Sequence, residues 1–209
     1  MSAGNGAESF IIKAMASLRP DDVLEFWFGS AAASLDTTRG GRREWFRKDP
    51  AFDAVIRNRF GTMIDIALAG GLGDWCATPR GALARVIVLD QFTRNVFRDT
   101  PMAFAGDARA VATAEEVIER GFDRELTPVE RWFLYTPFEH SEEQARQEES
   151  VRLFKALAEE TGLDDPVQWA ERHAEVIRRF GRFPHRNRTL GRASTPEEEA
   201  FLATPGSRF

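Results

Sequence analysis

Between residues 79 and 98 the apolar positions Ala82, Val86, Leu89, Phe92, Val96 and Phe97 fall on about half of a helical circumference. Asp90, Arg94 and Arg98 stand four apart on the other side, with Gln91 and Asn95 widening that polar stripe. From 101 to 120 the pattern is alanine: Ala103, Ala105, Ala108, Ala110, Ala112 and Ala114 give a helix whose backbone can approach a neighbour closely. No four-residue stretch alternates as a half-buried strand between hairpin signals. The pattern predicts an all-α chain.

The ends of the helices are written in local chemistry. Eight of the ten prolines follow Thr or Asp, the pair in which a side-chain oxygen caps the first turn and proline loses no useful N–H. Thr127 with Glu130, Asp165 with Gln168 and Thr195 with Glu198 have the spacing of a reciprocal capping box, and Ser141 with Gln144 repeats it without proline. Gly29, Gly70-Gly71, Gly121, Gly162 and Gly181 supply stops. The predicted helices are 20–28, 50–69, 79–98, 101–120, 128–136, 142–161, 166–180 and 196–203, with a further turn near 42–48. Pro137 is read as an interruption. Short connections favour antiparallel hairpins, and the recurring helix starts suit a stack of them.

Composition narrows this further. With 209 residues, 43% of them hydrophobic, the chain suffices for one well-covered core. Residues 1–18 read as a disordered lead and 19–209 as one helical domain. A single cysteine, Cys76, excludes an internal disulfide and points to the cytoplasm. The longest aliphatic run, Val86 to Leu89, is far too short for a membrane span. The segment "GGLGDW" follows a helical pattern rather than a strand, which removes the dinucleotide reading. There is neither a phosphate-binding loop nor a serine elbow.

Charge raises the functional question. The net charge is −5, yet Arg179 to Arg192, "RFGRFPHRNRTLGR", holds five arginines and no acid, and Arg178 precedes it. Exposed ion pairs stabilise little, so stability is a weak reason for this clustering. Two partners stand open: the acidic run Glu139, Glu142, Glu143, Glu148 and Glu149, or an external anion, which bidentate Arg suits. The acidic balance of the whole chain argues against nucleic acid. Glu139 and His140, falling between one helix end and the next start, are candidates for acid–base chemistry. His173, near Ala170, Ala174 and Ile177, reads as a core-edge residue. With no H-E-x-x-H and three histidines in all, no metal is expected, and no cofactor.

The segments "VLEFWFG" (23–29), "WFRKDPAFD" (45–53), "LDQFTRNVFR" (89–98), "PFEHSE" (137–142), "RFGRFPHRN" (179–187) and "FLATPGSRF" (201–209) resemble, in order, the signatures of the bacterial Domain of Unknown Function 924 family. The resemblance implies a helical fold similar to tetratricopeptide-like α-α superhelices, and it brings no activity with it. The family usually carries proline in "DQFPRN", where this chain has Thr93, which puts a proline kink there in doubt.

Grouping the polar residues of those segments gives the ligand-binding expectation: Asp90, Arg94, Asn95, Arg182, His185, Arg186 and Asn187 converge on one concave face, with Glu139 and His140 as candidate catalytic residues. The geometric condition is that Asp90 and Arg94 point toward His185 and Arg186. The expected function is a tetratricopeptide-like module whose Arg- and His-lined pocket takes an anionic small molecule or a peptide terminus, the chain's own Phe209 carboxylate included. The alternatives are a hydrolase or transferase on an anionic small molecule using Glu139 and His140, and a purely structural role for the charges.

Overall fold

The computed structural model describes residues 19–29, 45 and 47–207, and these contain helices and no strand. The expectations for residues 1–18, for most of the turn near 42–48 and for Phe209 lie outside the described residues. In chain order the helices are α1 (Pro20–Phe28), α2 (Pro50–Leu68), α3 (Pro79–Val86), a π turn (Ile87–Phe92) running into α4 (Thr93–Val96), α5 (Asp107–Glu119), α6 (Pro128–Glu139), α7 (Gln144–Thr161), α8 (Asp165–Phe180) and α9 (Pro196–Leu202). Short 3₁₀ turns lie at Gly73–Ala77, Pro101–Phe104, Phe122–Glu125 and Pro184–Arg186.

Several caps act as their sequence spacing predicts. Asp49 accepts from the N–H groups of Ala51 and Phe52 at 2.9 and 3.2 Å, and Thr78 from that of Gly81 at 3.1 Å. Both boxes Thr127–Glu130 and Thr195–Glu198 are closed in both directions. Two devices differ. Ser141 accepts from Glu143 N–H at 3.2 Å, so α7 begins at Gln144 rather than 142. Asp165 is already the first helical residue of α8, and Asp164 before it makes no side-chain cap.

Three predicted helices are altered by contacts that a local pattern does not contain. The 79–98 helix carries the π turn at 87–92, and the hydroxyl of Thr93 donates to the carbonyls of Leu89 and Asp90 at 2.8 and 3.2 Å. The helix therefore changes character at this point without the family's proline. The 101–120 helix is split at Gly106, where a Cβ atom would lie 2.0 Å from the Leu89 carbonyl oxygen. The chain crosses the π turn there at backbone distance, and only glycine allows it. α6, finally, runs through Pro137 to Glu139. In the last turn proline forfeits only one backbone bond, back to Phe133.

α1 packs on α3 and α3 on α5, and from there each helix packs on the next: α5 on α6, α6 on α7 and α7 on α8. The main core is aromatic, with Phe133 edge to face with Trp27 and Trp45 at 5.5 and 4.6 Å and Phe60 against Phe92 at 4.9 Å. A smaller cluster of Val176, Ile177 and Phe183, flanked by Phe180 and Phe201, closes the C-terminal end. The π turn contributes Ile87, Val88, Leu89 and Phe92 to the first core. Gly181 (φ 66°) ends α8 in a left-handed turn and delivers Phe183 to the second.

Gly106→Ala is expected to destabilise the fold by about 3 kcal/mol, because the clash is with backbone. Gly61→Ala, mid-helix with open space around the new methyl, is expected to stabilise by about 0.5–1 kcal/mol. Urea unfolding midpoints of the two variants measure both.

Candidate functional site

Five residues from four regions of the chain close a ring of hydrogen bonds between the two cores. Asp90, on the π turn and wholly buried, meets Nδ1 of His140 at 2.7 Å. The His140 carbonyl accepts from Nη2 of Arg186 at 3.0 Å. Nη1 of Arg186 donates to Oδ2 of Asp107 at 3.2 Å, and Arg94 takes the same carboxylate with both terminal nitrogens, at 2.8 and 3.1 Å. Arg94 returns to Asp90, 2.9 Å from its carbonyl and 3.1 Å from its carboxylate. Gln91 adds a donor to Asp90 at 2.6 Å. Asp90 and Arg94 thus meet Arg186 through His140 and Asp107.

Around the ring lies a second set of titratable groups. Glu139 approaches Nδ1 of His173 at 3.2 Å, and that nitrogen is 2.8 Å from the Trp169 carbonyl. The imidazole of His140 is edge to face with that of His173 at 6.2 Å, and Phe183 lies against both His173 and His185 at 5.5 and 5.6 Å. The Arg186 guanidinium is held between the rings of Phe104 and Phe183, 4.6 Å from each centroid.

Burial and charge spread the pKa values apart. Burial alone would raise the Asp90 carboxyl, but the charge of Arg94 and the contacts with His140 and Gln91 outweigh it and hold it well below the usual range. Burial and the Asp90 charge push Glu139 up to about 8. Burial, reinforced by neighbouring positive charge, lowers His173 and His185 to about 3 each. The same two causes act on His140, opposed by Asp90, and the net is downward. Burial and the nearby Arg94 bring even Arg186 down to about 10. At neutral pH the ring holds two carboxylates and two guanidinium ions, with an uncharged carboxylic acid and uncharged imidazoles beside them.

The remaining expected residues go elsewhere. Asn95 donates to Asp53 at 2.7 Å, where Arg98 also binds at 2.6 Å. Arg182 forks onto Glu198 at 2.6 and 2.8 Å, and Asn187 donates to the same carboxylate at 3.2 Å. Within the arginine-rich stretch Arg178 pairs with Glu175, Arg179 with Glu197 at 2.9 Å and Arg192 with Glu142 at 2.6 Å. Arg178, Arg179, Arg182 and Arg192 are therefore tied to the protein's own acids. Of the acidic run named from sequence, Glu142 alone meets it directly among the described residues; Glu143 and Glu149 pair with Arg146 and Arg152 on their own helix.

Two residues that carry the geometry had no sequence signal. Asp107 belongs to none of the recognisable segments, yet it bridges both ring arginines. Gln147, buried on α7, donates to the carbonyls of Phe138, Glu139 and Ser141 at 3.3, 2.8 and 2.6 Å. It satisfies the C-terminal carbonyls of α6 and so fixes Glu139 and His140. His173, read from sequence as a core-edge residue, is buried in the site. Among the described residues no three of His, Cys, Asp and Glu are placed to hold a metal ion, and no helix is long and apolar enough to cross a membrane.

The family model described as a bacterial protein of unknown function (DUF924) matches residues 23–206. A solved structure, that of a protein of unknown function, ATU0120 from Agrobacterium tumefaciens, is 37% identical and aligns over 88% of this chain and 96% of its own with a TM-score of 0.76. No curated protein matches.

The pKa of Glu139 has a stability consequence. The unfolded carboxyl ionises near its ordinary 4.5 and the folded one near 8, so the stability it contributes is complete below about 4.5 and is lost as pH rises toward 8. Glu139→Gln, which stays neutral, is expected to overtake the unaltered protein above about pH 5, by about 1–3 kcal/mol near pH 8. Urea titrations across that range measure the gap. An advantage that does not grow with pH would show that Glu139 is ionised in the fold.

Proposed function

The chain belongs to the DUF924 family of bacterial proteins, and we propose that it binds a small anionic group at Arg186, Arg94, His140 and His185. The observation that carries this is Arg186. Its side chain is 7% exposed, and its Nε is buried with no hydrogen-bond partner while the two terminal nitrogens are engaged. A buried donor left unsatisfied costs about 1–3 kcal/mol, more when it is charged, and stacking on Phe104 and Phe183 does not answer an N–H. An anion's oxygen does. Consecutive antiparallel hairpins, as in a tetratricopeptide-like stack, would give such a site a rigid frame, and a carboxylate at a peptide terminus is as suitable as a free anion.

The purely structural reading fits the other arginines better. Arg178, Arg179, Arg182 and Arg192 each have an acid, so the ligand reading contracts to the ring. A second reading, acid–base catalysis by a hydrolase or transferase on an anionic small molecule, is favoured by the 2.7 Å Asp90–His140 contact. An acid that fixes one imidazole nitrogen leaves the other to exchange protons, and Glu139 nearby is an acid held protonated. This second reading requires that the unaltered protein hydrolyse a phosphate monoester and that His140→Asn abolish the hydrolysis; an unaltered protein that binds anions and cleaves none of them rules it out.

Thermal unfolding in chloride, formate, sulfate and phosphate at matched ionic strength tests the binding site. An anion at about 100 times its dissociation constant stabilises by about 2.7 kcal/mol, a rise of about 5–10 °C for a chain of this size. The rise is expected to disappear in Arg186→Ala and to survive in Arg182→Ala, which lowers the midpoint without changing the response. Equal midpoints in all four salts would rule the site out.

A further inference from the structure

The charges around His140 are balanced before any ligand arrives. The π turn and α4 present Asp90 and Arg94, α5 presents Asp107, and the C-terminal 3₁₀ turn presents Arg186 and the uncharged His185. From α6 comes Glu139, whose carboxyl is protonated at neutral pH, and from α8 the uncharged His173. Just beyond, Glu142 is neutralised by Arg192 at 2.6 Å. Two carboxylates thus face two guanidinium ions inside the ring, so an anion drawn to Arg186 Nε would leave one uncompensated negative charge in a largely buried place. An unpaired charge is not kept in such surroundings; a neighbour changes its protonation instead.

The candidates for that change differ in geometry. Glu139 already carries its proton. His173 is 5% exposed and has its Nδ1 against a backbone carbonyl. His185 is packed against Phe183 beside the Arg186 charge. His140 has a fully buried carboxylate 2.7 Å from Nδ1, ready to hold an imidazolium ion, and its side chain is 16% exposed, enough for a proton to reach it. Arg94 and Asp107 surface to a similar extent, at 19% and 18%.

We infer that a singly charged anion of the carboxylate type enters this site together with one proton, which His140 takes up. The inference rests on the anion-binding reading above and adds to it the ligand's charge and the accompanying proton. The ion pair Asp90–His140 then replaces a contact between a carboxylate and an uncharged imidazole, and the ring with its ligand is electrically balanced again. A dianion would need a second proton, for which the site has only His173, buried against a backbone carbonyl, and His185, packed on Phe183 beside the Arg186 charge, so monoanions are favoured over dianions of similar size. Binding is correspondingly favoured by acid: one proton taken up per anion makes the affinity fall about tenfold for each pH unit in the range where free His140 is uncharged.

The experiment is a pH-stat titration of the full chain in unbuffered solution at about pH 7, adding neutralised sodium formate, then sodium sulfate, each against sodium chloride at equal ionic strength. Saturation with formate is expected to consume about one equivalent of acid per protein. The affinity, followed by the shift in thermal midpoint, is expected to drop about tenfold between about pH 7 and pH 8. Sulfate is expected to bind more weakly. In His140→Asn, whose amide can still donate to Asp90, the uptake of acid is expected to vanish. Formate binding with no acid consumed would overturn the inference while leaving the anion site standing. Acid consumption undiminished in His140→Asn would overturn the assignment to His140. If neither anion binds to the folded protein at any pH, the anion-binding reading itself fails, and this inference with it.

Discussion

The carboxylate of Asp107 is shared by Arg94 and Arg186, and through it the π turn, α5, the end of α6 and the C-terminal 3₁₀ turn become one body. Buried arginines cannot be left without acids: removing one partner of such a pair strands a charge, typically at a cost of about 3–5 kcal/mol. The position of Asp107 in turn depends on Gly106, since only a residue without Cβ lets the chain pass the Leu89 carbonyl before α5 begins. A steric constraint at one glycine thus places Asp107 for a partner, Arg186, that lies 79 positions further along the chain. The aromatic core sets where the helices lie; this carboxylate sets which of their polar residues meet.

The π turn does complementary work. An uninterrupted α-helix over 79–98 would carry Asp90, Arg94 and Arg98 as one stripe. Asp90 and Arg94 keep that i,i+4 pairing across the π turn and face Asp107 and His140, whereas Arg98, past the end of α4 at Val96, turns with Asn95 to Asp53 on α2. The Thr93 hydroxyl, bonded back to Leu89 and Asp90, competes with the helical ladder at this point. π turns recur at functional positions because they re-aim side chains without breaking a helix. On the facing side Gln147 holds the carbonyls that follow Pro137, so His140 and Asp90 are both fixed by groups outside their own segments.

What could be read from the residues alone follows the same division. Helix beginnings at Asp49, Thr78, Thr127 and Thr195 were legible because a cap needs only its own next three residues. The break at Gly106 and the continuation through Pro137 were not: each depends on what packs against the backbone, which spacing along one chain does not encode. At the site, the arginines and histidines stood out by their density and by the family resemblance. Their acids did not, because an isolated Asp107 in an alanine-rich stretch looks like any helix-starting residue. Arg182 and Asn187 sit in the same short segment as Arg186, yet they serve Glu198 and the cap of α9. Neighbours in sequence diverge here because the turn after Gly181 sends successive side chains to different sides.

The unequal treatment of the arginines is the physical basis for assigning a function at all. A chain that needed the stretch only as a clamp would give each guanidinium its acid, as it does for Arg182 with Glu198 and Arg192 with Glu142. Arg186 instead has half a share of one carboxylate, a backbone carbonyl and two aromatic faces, with Nε unanswered. Its neighbours raise the cost of that state further, since Arg94 stands close enough to lower its pKa. A fold tolerates such a local deficit where the missing partner arrives from outside. The deficit, together with imidazoles kept uncharged and a carboxyl kept protonated beside it, is a store of unused electrostatic capacity that an entering anion and its proton would complete.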